Sequence, residues 1–399
     1  MSERLAIEGG TPVRTTLLPY GRHWIDDDDV AAVTAALRSD WLTTGPRVAE
    51  LERAFAGITG TQHAVAVNSG TAALHAALHA MRLGSGDEVI VPTMTFAASA
   101  NAALYVGATP VFADVDPGTL LLTVDEADRR RTPRTRAVVP VDFAGQPCAY
   151  PALGQWARAH SIRILADACH ALGGALDGRP VGSLADATAF SLHPVKAIAS
   201  GEGGVITTDD VDLATRARTF RNHGLSTDHR QREGQGTWLY DMVELGFNYR
   251  LPDTSCALAL SQLSKLDAWI ARRAAIAARY DEHFGSTGSA FRPLDPVPGG
   301  KHGHHLYVVR LPRQQWRVGR AEVFAAFRAE GIGVNVHYRP VHLHPFYRER
   351  YGTGPGLCPN AEAAYEEILS LPLFPRMTET DVADVLAAAD KISRAYAAS

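Results

Sequence analysis

The residues best equipped for covalent chemistry lie in Ala189-Phe190-Ser191-Leu192-His193-Pro194-Val195-Lys196, which runs on to Gly201-Glu202-Gly203-Gly204. One lysine stands between an apolar, strand-like run and a glycine turn, with a hydroxyl, an imidazole and a proline just before it. A lysine amine forms a Schiff base with a carbonyl when its pKa is depressed and its mount is rigid. Alone, Lys196 reads more readily as a surface lysine beside a loop. Two other places change that balance. Asp167 ends the apolar run 162–166 and precedes Ala168-Cys169-His170-Ala171-Leu172-Gly173. Ligands gather at the carboxyl ends of parallel strands, and a buried aspartate needs a partner such as a protonated pyridine nitrogen. Asn68-Ser69-Gly70-Thr71 stands where a buried strand meets a helix, so backbone N–H groups, a helix dipole and two hydroxyls converge on a site suited to a phosphate. A helix cap serving its own backbone would use the same residues. His170 is open to two readings, ligand contact or satisfied structural histidine.

An imine-forming lysine, a carboxylate for a ring nitrogen, a Ser/Gly/Thr turn for a phosphate and Phe96 as a stacking face fit one cofactor, pyridoxal 5′-phosphate. Each part is weak alone. Their joint occurrence in this order is far more specific.

The elements that must position these residues alternate. Residues 64–67, 88–92, 109–115, 137–141 and 162–167 read as short apolar strands, and 72–81 and 96–105 as helices between them, which implies a largely parallel sheet covered on both faces. Before them come an extended arm to about residue 20 and two amphipathic helices at 25–38 and 48–58, the first opening on four aspartates that suit a helix N-terminus. After Leu251 the texture turns helical. A long helix over 255–279 is expected to lead into strands at 305–311 and 332–336, helices at 320–330 and 380–396, and a loop at 286–303. The expected organisation is an arm (1–20), a large cofactor-binding α/β domain (21–251), and a connecting helix with a smaller C-terminal α+β domain (252–399).

At 399 residues and 46% hydrophobic, the chain can bury a large core. A formal net charge of −4 carries no basic excess of the kind that binds nucleic acid or an anionic membrane. Cys148, Cys169, Cys256 and Cys358 form no CxxC pair, and no run approaches the ~20 apolar residues of a membrane span. A cytoplasmic protein acting on small molecules is the expectation. Two histidine groups, His302-Gly303-His304-His305 and His337 with His342 and His344, lack a matched carboxylate or cysteine set, so no metal is expected. Cys358, on a glycine-rich loop, has no basic neighbour to lower its pKa and so makes a poor desulfurase nucleophile.

The chain resembles the DegT/DnrJ/EryC1/StrS group of fold-type I, pyridoxal-phosphate-dependent sugar aminotransferases. The resemblance rests on Trp41-Leu42-Thr43-Thr44-Gly45-Pro46, Val67-Asn68-Ser69-Gly70-Thr71-Ala72-Ala73-Leu74, Pro140-Val141-Asp142-Phe143-Ala144-Gly145-Gln146-Pro147, the Asp167 and Lys196 stretches, and Leu245-Gly246-Phe247-Asn248-Tyr249-Arg250-Leu251. It extends to His337-Tyr338-Arg339-Pro340-Val341-His342 and Leu369-Ser370-Leu371-Pro372-Leu373. His193-Pro194-Val195-Lys196 and Tyr338 to His342 are similar to the pseudaminic-acid-pathway branch, which aminates C4 of a UDP-linked 4-keto-6-deoxy-N-acetylhexosamine. Ile7-Glu8-Gly9-Gly10-Thr11-Pro12-Val13 is similar to the opening of the inosose and aminohydroxybenzoate branches.

The resemblance implies that Lys196 carries the cofactor as an imine and shuttles protons, and that Asp167 keeps the pyridine nitrogen protonated. It implies that Ser69, Gly70, Thr71, Ser191 and His193 bind the cofactor with Asn248 of a neighbouring subunit, and that Phe96 and His170 contact the ring, His170 standing where many relatives have glutamine. Thr43, Thr44, Tyr249, Arg250, His337 and Tyr338 are implied on the substrate side. The implied reaction is ping-pong: L-glutamate converts the cofactor to pyridoxamine phosphate, and a nucleotide-linked ketosugar accepts the amine in a homodimer with shared sites. A dTDP- or GDP-linked ketosugar, a carbocyclic ketone such as an inosose, and a non-catalytic cofactor-binding regulator are the alternatives.

Overall fold

The computed structural model describes residues 4–286 and 288–398; residues 1–3 of the expected arm, residue 287 of the expected loop and residue 399 lie outside the described residues. Seven strands, β1 (His63–Val67), β2 (Glu88–Pro92), β3 (Thr109–Ala113), β4 (Thr135–Val138), β5 (Arg163–Asp167), β6 (Ala187–Ser191) and β7 (Gly204–Thr208), form one sheet in the order β1-β7-β6-β5-β4-β2-β3. All neighbouring pairs are parallel except the two made by β7. Because β1 and β6 both run antiparallel to β7, they run the same way as each other. Six strands therefore end on one edge of the sheet, and β7 begins there.

The strands are apolar because both faces are covered. Val65, Ala66, Val67, Val89, Ile90 and Val91 have no exposed surface. The helix Gly70–Ala80 is buried along almost its whole length, and its alanines let it lie close against the sheet. Among the described residues, no helix is long and apolar enough to cross a membrane.

Beyond the sheet, strands Arg292–Pro293, Tyr307–Arg310 and Ile368–Leu371 pair antiparallel and pack with helices Arg320–Ala329 and Glu379–Tyr396 around Val309, Phe327, Leu369, Val385 and Ile392. The N-terminal arm is clasped to this unit. Leu5 and Leu18 enter its core. The Glu330 carboxylate accepts the Ala6 N–H at 2.8 Å and the Val13 N–H at 3.0 Å, and meets Lys391 Nζ at 3.0 Å. Lys391 also donates to the Thr11 carbonyl at 2.6 Å. Both charges are buried and both are satisfied, as burial of an ion pair requires.

Three expectations need correction. The helix expected over 255–279 is two helices, Asp253–Leu263 and Leu266–Phe284. Ser264 Oγ turns back to the Ser261 carbonyl at 2.7 Å, and the Lys265 ammonium is drawn to Asp26 and to Asp29, the latter at 3.0 Å, which breaks the rod between them. The strand expected at 332–336 is no ladder but two isolated bridges, Leu18 to Ile332 and Asn335 to Ser370, because different partners approach its two ends. The loop at 286–303 contains the short strands Arg292–Pro293 and Gly300–Lys301.

Candidate active site

The sheet edge brings the sequence-predicted residues together. Ser69 follows β1, Asp167 ends β5, Ser191 ends β6, and Lys196 lies between Ser191 and the start of β7. The lysine's loop is tied at its base by Leu192 N–H to Gly203 O (2.8 Å) and Ser200 N–H to Leu192 O (2.9 Å), while Lys196 N–H donates to His193 O (2.8 Å). Buried Leu192, Ala197, Ile198 and Ala199 pin its sides. Burial lowers the Lys196 pKa from the ordinary lysine range, against the opposing pull of Cys169 and Asp167. Among the described residues Lys196 forms no ion pair.

Asp167 is buried, and its Oδ2 accepts the Ser99 hydroxyl at 2.6 Å while Oδ1 accepts the Cys169 N–H at 3.2 Å. Ser69 caps the helix Gly70–Ala80, its Oγ accepting the Ala72 N–H at 3.0 Å. That N-terminus presses against β6: a Cβ on Gly70 would stand 2.9 Å from Ser191 Cβ and 3.2 Å from Cys169 Sγ, so only glycine fits. Thr71 is the next residue of the same turn. The capping and anion-binding readings of Ser69 are compatible, because the cap leaves other N–H groups of the first turn free.

On the other side, His170 Nε2 meets Tyr338 Oη at 3.0 Å, and the Phe96 ring, 61% exposed, lies 6.1 Å from the Tyr338 ring. His170 Nδ1 is buried without a partner, as is Nδ1 of His305, whose ring lies 4.4 Å from that of His170. Burial, reinforced by the Lys196 charge, holds His170 and His305 well below the ordinary histidine range. His337 is held at about 3 by the same causes, and both its nitrogens face protein groups, Ser370 Oγ at 2.8 Å and Asn335 Nδ2 at 3.4 Å.

Other expected site residues lie further out. Tyr249 turns its hydroxyl to His75 Nδ1 at 3.0 Å. His193 is exposed, its Nδ1 accepting the Val195 N–H at 3.5 Å. Asn248 is exposed, and its carbonyl accepts from Asn68 Nδ2 at 3.4 Å. Arg250 donates to Asn222 Oδ1 at 2.9 Å and, with Thr44, lines a cavity of about 600 Å³ that Lys196 does not enter. Thr43, exposed, accepts the Thr44 hydroxyl on its carbonyl at 2.7 Å. Among the described residues no group of three or more His, Cys, Asp or Glu is arranged to hold a metal. Cys358 is buried, and burial pushes its thiol up to about 12.

Sequence reasoning missed Ser99 and Thr95, took up His305 only as part of a histidine group, and gave Asp142 no role. Asp142 is fully buried; its Oδ1 accepts Cys148 N–H and Tyr150 O–H, each at 2.8 Å, and its Oδ2 is unpartnered. Burial pushes this carboxyl up to about 7, with the Asp167 charge adding to the rise against those two bonds. The available signal for Thr95 and Ser99 was their spacing of four, which puts both hydroxyls on one face at a helix start.

The residues fit pyridoxal phosphate on these observations: an unpaired amine of lowered pKa, a braced carboxylate with acceptor capacity left, a helix N-terminus closed against Ser191 with no room for a Cβ, and an orphaned imidazole nitrogen beside them. Sheet and site together define a fold-type I, pyridoxal-phosphate-dependent aminotransferase. Residues 23–390 match the DegT/DnrJ/EryC1/StrS aminotransferase family, and the chain belongs to it. It is 42% identical to the spore coat polysaccharide biosynthesis protein SpsC of Bacillus subtilis over 94% of this chain and 97% of that one. The PLP form of Spr1654 from Streptococcus pneumoniae superposes with a TM-score of 0.88 at 32% identity, covering 95% of this chain and 99% of that one. Helicobacter pylori PseC, an aminotransferase involved in the biosynthesis of pseudoaminic acid, gives 0.88 at 29% identity over 95% of this chain and 100% of that one. The protein is a sugar aminotransferase.

Proposed function

We propose that the protein transfers the amino group of L-glutamate to C4 of a UDP-linked 4-keto-6-deoxy sugar by a ping-pong mechanism. The observation that carries the chemistry is the unpaired Lys196 amine on the same sheet edge as Asp167 and the Ser69–Ser191 cradle. Similarity to PseC, with His193-Pro194-Val195-Lys196 and Tyr338 to His342, supports the acceptor. The Ile7 to Val13 motif, which is similar to the inosose branch, lies in the arm held by the Glu330–Lys391 clasp.

Bound pyridoxal phosphate supplies an electron sink for the electrons left at the donor's Cα. The first-turn N–H groups of Gly70 and Thr71, with the hydroxyls of Ser69 and Ser191, would hold its phosphate. Asp167 would serve the ring nitrogen of the bound cofactor and keep it protonated. Lys196 Nζ, with more neutral amine at pH 7 than an ordinary lysine, takes the Cα proton of L-glutamate and in the second half-reaction delivers one to C4 of the sugar. The net change is glutamate plus ketosugar to 2-oxoglutarate plus aminosugar. Phe96, Tyr338 and His170 would cover the ring and exclude water, and Thr43, Thr44, Tyr249, Arg250 and His337 are the residues proposed for the substrate side.

The same reading gives a homodimer, with the chain divided as 1–20, 21–251 and 252–399. Trp238, Leu239, Met242, Val243 and Leu245 form an exposed apolar run leading to exposed Asn248. A second copy would cover that run and receive Asn248 at its phosphate.

The test is to load the protein with pyridoxamine phosphate and add UDP-, dTDP- and GDP-linked 4-ketosugars and an inosose. Return of the visible band should be fastest with the UDP-linked 4-keto-6-deoxy sugar. A faster reaction with another ketone overturns the acceptor assignment. A visible band unmoved by L-glutamate or any other donor would mean a binding protein.

A further inference from the structure

Asp167 is braced from behind by two hydroxyls. Ser99 is fully buried, and Thr95 nearly so. Ser99 Oγ lies 2.6 Å from Asp167 Oδ2, and Thr95 Oγ1 lies 2.6 Å from Ser99 Oγ. A carboxylate only accepts, so the Ser99 proton points to Asp167, and the Thr95 proton must then point to Ser99. The competing acceptor for Ser99, the Phe96 carbonyl, is further away at 3.3 Å. A hydrogen bond to a carboxylate is roughly twice as strong as a neutral one, and the hydroxyl behind it polarises it further.

The segment carrying these hydroxyls is itself anchored. Thr93 Oγ1 meets His342 Nδ1 at 2.7 Å, and His342 Nε2 meets Glu362 Oε1 at 3.0 Å. Between the two anchors sits Phe96. One short stretch therefore holds both the acid and an aromatic ring of the site.

We propose that Ser99, backed by Thr95, is a positioning residue that holds the Asp167 carboxylate in the orientation in which it serves the cofactor's ring nitrogen. The proposal rests on the reading of Asp167 given above. Ser99 acts through Asp167, so its loss should leave the phosphate cradle and cofactor retention intact while moving properties that depend on the ring nitrogen.

The experiment uses the pyridoxal-phosphate-loaded protein and the variants Ser99→Ala, Ser99→Thr, Thr95→Val, Asp167→Asn and the double variant Ser99→Ala/Asp167→Asn. Three quantities are read: cofactor affinity of the apoprotein, the pH midpoint of the visible band, and the single-turnover rate with L-glutamate. Ser99→Ala should slow the single turnover by about 10-fold to 100-fold, as expected for a lost hydrogen bond to a charged group. It should also shift the band's midpoint, with affinity changed less than about 3-fold on the same scale. Ser99→Thr should restore both, and Thr95→Val should move both in the same direction by less. Adding Ser99→Ala to Asp167→Asn should cost much less than Ser99→Ala costs the parent, because the carboxylate charge that Ser99 serves is gone and only an amide oxygen is left to accept from it. If Ser99→Ala does not fold, Thr95→Val decides. Parental midpoint and rate in the folded hydroxyl variants, with Asp167→Asn impaired, overturn the positioning role alone. An unimpaired Asp167→Asn overturns the reading of Asp167 beneath it.

Discussion

Lys391 is buried and Lys196 half-buried, and they end in opposite situations. Lys391 sits against Glu330 and the Thr11 carbonyl, with the second Glu330 oxygen taken by the arm's backbone. Lys196 lies near Asp167, yet that carboxylate is held by Ser99 and the Cys169 N–H, and the amine keeps no ion pair among the described residues. The physical chemistry differs accordingly. A buried charge that is fully paired ties two parts of a chain together, while an unpaired amine has its proton affinity lowered by desolvation and becomes a base and nucleophile. Residue type is shared, and what separates the structural lysine from the chemical one is that Lys391 is fully buried and paired while Lys196 is half-buried and unpaired.

The sharpest way to break this contrast is to remove each amine. Lys196→Ala should lower turnover by about 10³-fold or more, the scale of a lost proton-transfer group, with the thermal midpoint unchanged. Lys391→Ala should leave the folded fraction's turnover intact but lose about 3–5 kcal/mol in a denaturant titration, because Glu330 is left buried and unpaired. Swapped outcomes would refute the assignment. Replacing both partners sharpens it: Lys391→Met with Glu330→Leu should recover most of the loss, though not the bonds to Ala6 and Val13, so the arm should become more sensitive to protease than in the parent.

The cradle offers a smaller test. Gly70→Ala forces a methyl to within 2.9 Å of Ser191 Cβ, which costs about 1–3 kcal/mol of strain or displacement. Equilibrium dialysis should show weaker cofactor binding, and an unchanged affinity would separate the Gly70 turn from the phosphate.

Asp142 gives the smallest effect and a signed one. Its folded pKa of about 7 lies above the ordinary aspartate value of 3.8. Between those values the native state holds a proton that the unfolded state has released, so this group makes stability fall as pH rises toward 7. Asp142→Asn cannot ionise, and its thermal midpoint relative to the parent should therefore improve from pH 5 to pH 8. A constant difference across that range would contradict the raised pKa.

What was readable in the sequence follows from which interactions are local. Apolar runs marked β2 to the residue and β1 to within one, because a covered parallel strand needs little beyond its own side chains. Lys196, Asp167 and Ser69 were legible because few residue types can do those jobs at strand ends. The bond from Ser99 to Asp167 spans 68 positions, and the contact of Lys265 with Asp29 that divides the long helix spans 236; neither leaves a local mark. The expected strand at 332–336 failed for the related reason that alternation shows a chain able to pair, not which partners reach it. Asp142 lay within a recognised motif, but its unpartnered oxygen emerges only once the surrounding core is assembled.

The most direct test exploits an uncommon economy: the chain has four lysines, Lys196, Lys265, Lys301 and Lys391. Lys265 and Lys391 face carboxylates, and Lys301 is exposed. Borohydride reduction of the pyridoxal-phosphate-loaded protein, followed by peptide mass mapping, should place a single stoichiometric label on Lys196. L-glutamate added before the borohydride should abolish the label by converting the cofactor to its amine form. A stoichiometric label on any other lysine, or one on Lys196 that glutamate leaves untouched, would contradict the account.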